Sequence, residues 1–164
     1  MTSETYRRIS APFRGRPAAL RLLRLCNKAV PLICYVLYPA LLLWALRARD
    51  PRFLRLLLVP AASFFLLSLF RRWRNSPRPY EVLDIDPLTP RDKKGESFPS
   101  RHVFSVSVIA MTWLWVCPPV GAALWVLAAV LAWARVTAGI HFPRDVLAGA
   151  AVGLTAGLLG YWAL

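Results

Sequence analysis

The sequence predicts an all-α fold: an integral membrane helical bundle of about five transmembrane helices, preceded by an N-terminal interfacial amphipathic helix. Three observations predict it. The chain is 57% hydrophobic with a mean hydropathy of +0.47, too apolar for an ordinary soluble domain. Its net charge is +13 although only 18% of its residues are charged, so the charges are segregated from the apolar runs. Five apolar segments, 29–46, 53–70, 103–117, 120–138 and 143–164, show almost no amphipathic alternation. Several are shorter than the roughly 20 residues of a standard span, but five of them in 164 residues read as a bundle.

In chain order, residues 1–16 read as a basic, flexible tail. Residues 17–28 read as a helix with Arg21, Arg24 and Lys28 on one face and Leu22, Leu25 and Cys26 elsewhere on the wheel. That pattern suits a helix lying in the headgroup layer, or equally a basic flank to the first span. Residues 1–28 thus form a basic tail and interfacial helix, and residues 29–164 a membrane-embedded domain. Residues 1–28 carry seven Arg and Lys and no charge-free apolar core, unlike a cleavable signal. Pro39 and Pro60 fall within the first two spans, where membrane helices tolerate them. Cys117-Pro118-Pro119 marks a tight turn between the third and fourth spans. In the last span Gly149, Gly153 and Gly157 recur at every fourth position, a stripe that lets helices approach closely. Asp145 lies one step earlier on that stripe.

The composition narrows the partners. A basic membrane protein meets anionic lipid headgroups, here at its N-terminus, or phosphate substrates; no soluble module remains to carry nucleic acid. Cys26, Cys34 and Cys117 are odd in number and lack metal-ligand spacing, so they read as small packing residues, and neither a metal nor a cofactor is expected. The long connection 71–102 contains Glu81, Asp84, Asp86, Asp92 and Glu96. These read as a solvated loop balancing its own cations, or as the wall or lid of a site.

Three polar clusters punctuate the apolar chain: Arg71 with Arg78-Pro79, Pro99-Ser100-Arg101-His102, and Arg135 with His141 and Asp145. They contain both histidines of the chain. The third and fourth spans separate the 71–102 connection from the 139–144 turn, so all three clusters emerge on one membrane face. His141 and Asp145 are four residues apart, and Pro143 suits the first position of a helix. Asp145 then either orients the His141 ring, leaving its other nitrogen as a nucleophile, or simply caps the helix. Ser100, Arg101 and His102 open another helix, where unpaired N–H groups form an anion site or merely an ordinary first turn. His102 stands where a proton could be given to a departing oxygen. Arg71, Arg78 and Arg135 end apolar segments, and guanidinium forks match phosphate oxygens.

The chain resembles the type 2 phosphatidic acid phosphatase superfamily, which includes lipid phosphate phosphatases and vanadium haloperoxidases. The family pattern Lys, six residues, Arg-Pro is met here by Arg71, six residues, Arg78-Pro79. Pro-Ser-Gly-His is met by Pro99-Ser100-Arg101-His102. Ser-Arg, five residues, His, three residues, Asp is met by Ala134-Arg135, His141 and Asp145. The resemblance spans roughly 53–164. It implies that His141 attacks phosphorus, that Asp145 orients it, and that His102 protonates the leaving group and later helps activate water. It also implies that Arg71, Arg78, Ser100 and Arg135 cradle the phosphate of a membrane lipid, without a metal.

Three positions depart from the pattern. Arg71 keeps the charge of Lys, Ala134 lacks a hydroxyl, and Arg101 adds bulk and a guanidinium where the family has Gly, as an extra substrate contact. The expected activity is hydrolysis of a lipid phosphate or lipid pyrophosphate. The alternatives are transfer of the same phosphoryl group to an acceptor lipid, or lipid-phosphate binding without turnover. The protein is expected in the cell membrane; the site side carries 17 Lys and Arg against 4 on the other, which by the positive-inside rule points to the cytoplasmic face, while the resemblance leaves the outer face as the alternative.

Overall fold

The computed structural model describes residues 1–89 and 93–163. Asp92, among the loop acids, lies outside the described residues. Where they are described, the residues form seven α-helices: α1 (Ser3–Ser10), α2 (Pro17–Arg47), α3 (Phe53–Arg74), α4 (Pro79–Val82), α5 (Arg101–Val116), α6 (Pro118–Thr137) and α7 (Pro143–Leu158), with a π turn, Leu159–Ala163, prolonging α7. The five expected spans correspond to α2, α3, α5, α6 and α7. Four of these helices are long and apolar enough to cross a membrane; α5 is shorter, at 16 residues.

Of the two readings of 17–28, a helix lying in the headgroup layer or a basic flank to the first span, the structure fits the flank. The segment 17–28 is helical, but it runs without a break into the first span as part of the 31-residue α2. Its Arg21, Arg24 and Lys28 are exposed, while Leu23 and Asn27 are buried. Residues 1–16, read as flexible, contain a helix. The Thr2 side chain accepts from the Thr5 N–H, Glu4 lies in the first turn and Arg7 and Arg8 in the last, which caps both ends favourably. Tertiary contacts secure it: Tyr6 is fully buried, and Arg7 pairs with Asp84 at 2.9 Å and Arg14 with Asp86 at 2.9 Å.

α5 is the central helix, packed against α2, α3, α6 and α7. Its residues from Val103 to Thr112 are all buried, as expected of a helix apolar on every side. The outer helices instead turn large apolar side chains outward, among them Leu32, Val36, Leu54, Phe65 and Leu147. In water such a surface is unfavourable; in hydrocarbon it is the solvated face. Exposed Trp73 and Trp133 lie toward the end of the bundle that carries the clusters, and exposed Trp44 and Trp162 toward the other. Two tryptophan levels of this kind mark the two membrane interfaces.

The glycine stripe has the packing role expected of it. A Cβ on Gly149 would lie 2.6 Å from the Ser100 carbonyl oxygen, one on Gly153 2.7 Å from the Ser107 Cβ, and one on Gly157 2.3 Å from the Met111 Cβ. The backbones of α7 and α5 therefore touch. This contact also sets the site, because the Ser100 N–H donates to the Asp145 carbonyl at 2.8 Å beside Gly149. Gly149→Val is expected to separate the two helices and lower stability by about 1–3 kcal/mol, with loss of activity. Thermal unfolding in detergent reads the first effect, and an unchanged melting temperature would contradict this packing.

Candidate active site

The three clusters converge at one end of the bundle. Their meeting place is a cavity of about 150 Å³ lined by Arg71, Arg78, Arg101, His102, Arg135 and His141, together with Lys93 and Ile140. Five of these side chains are cations and two are imidazoles, and among the described residues no carboxylate lines the cavity. Such a lining selects an anion.

His141 is held by the turn that links α6 to α7. Gly139, at φ +75°, permits the reversal. The N–H groups of Ile140 and His141 then point back to the Arg135 carbonyl at 3.1 and 3.4 Å. Pro143 opens α7, and Asp145 in its first turn accepts the Phe142 N–H at 3.0 Å. The same carboxylate oxygen, Asp145 Oδ2, lies 3.5 Å from His141 Nδ1. Asp145 therefore caps the helix and also faces the imidazole.

A third group completes this contact. Ser97 is fully buried; its hydroxyl donates to Asp145 Oδ2 at 2.5 Å and lies 3.3 Å from His141 Nδ1. With its proton given to the carboxylate, Ser97 Oγ can accept from Nδ1–H. The proton on Nδ1 leaves Nε2 with a free lone pair. Burial is the largest influence on the His141 ring, followed by the opposing pull of Asp145. Burial prevails, aided by Arg78 and Arg135, and the ring is pushed down to about 4 from its ordinary 6.5. A lowered value means that the neutral, nucleophilic form persists as pH falls, until about pH 4. A nitrogen-15 titration of the free protein, assigned with His141→Gln, is expected to show this midpoint; one near 6.5 would contradict the burial.

The arginines are held by backbone carbonyls. Arg71, in the last turn of α3, donates to the carbonyls of Glu96, Ser97 and Pro99. Arg78 donates from Nε to Gly95 O at 3.0 Å and from Nη1 to Ile140 O at 3.5 Å. Arg135 reaches the Asn27 carbonyl at 3.5 Å, and the Asn27 side chain donates to Ala134 O at 3.3 Å. These bonds fix where the guanidiniums lie. Ser100, the N-cap of α5, is not among the residues lining the cavity, but it precedes Arg101 and its buried hydroxyl has no hydrogen-bond partner among the described residues. Arg101, half-buried, lines the cavity with its guanidinium carbon 5.8 Å from the centre of the Phe64 ring.

Among the described loop acids, Asp84 and Asp86 are solvent-exposed, while Glu81 and Glu96 bond within the loop. The Glu81 carboxylate accepts the Arg78 N–H at 2.7 Å and the Gly95 N–H at 2.9 Å, closing the loop across its own neck. Asp84 and Asp86 pair with the N-terminal arginines, and Glu96 pairs with Lys93 at 2.8 Å. Sequence reasoning passed over Ser97 and Lys93. The signal for Ser97 was its place two residues before Pro99, in a stretch that had to enter the site.

The bundle and cavity define a multi-pass membrane protein with a basic cavity lined by two histidines. Residues 52–164 match the PAP2 superfamily, and the chain belongs to it. It is 33% identical over 136 residues to "Putative undecaprenyl-diphosphatase YbjG" of Escherichia coli (strain K12), an alignment covering 80% of this chain and 62% of that protein. The crystal structure of Aquifex aeolicus LpxE superposes with a TM-score of 0.72 at 26% identity, over 96% of this chain and 92% of that one. The crystal structure of a transmembrane PAP2-type phosphatidylglycerolphosphate phosphatase from Bacillus subtilis has the same fold, with a TM-score of 0.69 at 24% identity over 96% and 83% of the two chains.

Proposed function

We propose that this protein hydrolyses the phosphate monoester or diphosphate of a membrane lipid through a phosphohistidine on His141, without a metal. The observation that carries the reading is the buried His141–Ser97–Asp145 contact at the wall of a cation-lined cavity.

In the first step His141 Nε2 attacks phosphorus, the N–P bond forms, and the P–O bond to the lipid breaks. His102 gives its proton to the departing oxygen. In the second step His102 takes a proton from water, whose oxygen attacks phosphorus and displaces His141; inorganic phosphate leaves. Arg71, Arg78 and Arg135 spread positive charge over the transferring oxygens, and the Ser100 hydroxyl adds a donor. Asp145 and Ser97 hold the Nδ1 proton and balance the charge that His141 gains on attack. Release of phosphate by the purified protein from phosphatidate, phosphatidylglycerol phosphate and a polyprenyl diphosphate, with and without chelator, tests this reading. No release from any of them would refute hydrolysis, and release abolished by chelator would refute metal independence.

Arg101 and Lys93 add two cations to those that the family pattern supplies. Phe64, beneath Arg101, also lines an apolar groove between α2, α3 and α5 with Tyr38, Pro60 and Ile109. Arg101 thus joins the cation-lined cavity to an apolar surface suited to a lipid chain, and in this reading it meets the leaving group. A guanidinium there favours a leaving phosphate over a leaving alcohol. Arg101→Gly is expected to lower the ratio of kcat/KM for diphosphate over monophosphate lipids by roughly tenfold or more, the loss of one charge-assisted hydrogen bond. An unchanged ratio would show that Arg101 does not read the second phosphate.

A further inference from the structure

Every motif residue of the site lies within 52–164, the part of the chain that matches the family. The turn carrying His141, however, rests on residues that precede it. Tyr6 of α1 is fully buried. Its ring lies against Gly139, where an added Cβ would come within 2.9 Å of Tyr6 Cε2 and 3.0 Å of Cζ and Oη. Its hydroxyl donates to the Asp86 carbonyl at 3.2 Å and accepts the Leu88 N–H at 3.1 Å. Behind the turn, Leu88, Leu23, Ala138 and Ile140 form one buried cluster.

The turn needs support from this side. It passes from α6 to α7 in five residues, 138–142, with its glycine in the left-handed region. Inward, its bonds go to the α6 C-terminus and, through Ile140 O, to Arg78. Outward, Tyr6 is the large side chain packed on Gly139, two residues before His141. The ion pairs of Arg7 with Asp84 and Arg14 with Asp86 fasten α1 and the following segment to the same loop.

We propose that Tyr6 is a positioning residue for His141, bracing the 138–142 turn through Gly139, so that the N-terminal helix completes a site whose reacting groups all lie downstream. The proposal rests on His141 being the nucleophile. In-line attack is sensitive to displacements of about 1 Å, which can cost as much as 10²-fold in rate. Phosphate binding depends on arginines carried by α3, α6 and the 71–102 loop. Arg78 touches the turn through Ile140 O but is also held by Gly95 O, and Arg71 and Arg135 are held elsewhere, so loss of the brace acts more on kcat than on KM.

The test uses the full chain in detergent, with Tyr6→Leu and Tyr6→Phe. Tyr6→Leu is expected to lower kcat roughly tenfold or more with KM within about twofold, because ring support of the turn is lost. Tyr6→Phe keeps the ring against Gly139 and is expected to restore most of kcat. If Tyr6→Leu does not accumulate as folded protein, Tyr6→Met replaces it. Hydrogen exchange provides a second readout, with faster exchange in Tyr6→Leu at the amides of 139–141 while α5 amides stay protected. This arm needs no turnover, so an inactive wild-type protein would refute the proposed function and leave the brace to be judged by exchange. Wild-type kcat in Tyr6→Leu, an equal loss in Tyr6→Phe, or exchange raised uniformly through the bundle would each overturn the proposal.

Discussion

His141→Ala is expected to lower phosphate release from any lipid phosphate by about 10⁴-fold or more, while the protein still binds the substrate. The variant removes the atom that forms the covalent bond, and no neighbour replaces it. His102 also lines the cavity, but it opens α5, whereas the Ser97–Asp145 pair stands behind the His141 ring. Binding survives because Arg71, Arg78 and Arg135 are held by carbonyls outside the 141 side chain. Steady-state kinetics with equilibrium binding of a non-hydrolysable lipid phosphonate checks both halves. Substantial residual turnover would remove His141 from the nucleophile's role.

Asp145→Asn is expected to cost about 10³–10⁴-fold in kcat with a smaller change in KM. The carboxylate has three neighbours at one oxygen: the Ser97 hydroxyl at 2.5 Å, the Phe142 N–H at 3.0 Å and His141 Nδ1 at 3.5 Å. An amide keeps the size but loses the charge that steadies the imidazole as it becomes cationic. If the amide NH₂ takes the Oδ2 position, it also opposes the Nδ1 proton and favours the wrong tautomer. Because the residue is fully buried, a mismatched amide is costly to stability as well. Stopped-time kinetics at matched folded fraction separates the two effects, and a kcat within tenfold of wild type would contradict the role of Asp145.

The helices were legible because apolar length is a local property. The segments read at 53–70, 103–117 and 120–138 differ from α3, α5 and α6 by only a few residues at their ends. The motif residues were legible for a similar reason, since their spacing is short and carried by helix starts at Arg101 and Pro143. What escaped depends on contacts between distant parts of the chain. Ser97 acquires its role only when the loop brings it to Asp145, 48 residues away. Glu81 looks like one acid among several until it closes on Gly95. Helix α1 is polar and short, and an isolated helix of that length is marginal in water. Its order comes from Tyr6 and the arginines that meet a loop some 80 residues later. The glycine stripe is the intermediate case: its spacing announced close packing, and the structure adds that the packing surface is the one that joins Ser100 to Asp145.

The phosphorylated enzyme is the most direct test of the central claim. Purified wild-type protein is mixed with a lipid phosphate labelled in the terminal phosphoryl group, quenched within milliseconds at alkaline pH, and digested for mass spectrometry. The expected result is an acid-labile phosphohistidine at residue 141 of the wild-type protein, absent from His141→Ala. Label on another residue, or steady release of phosphate with no labelled protein at any time, would contradict a covalent step at His141.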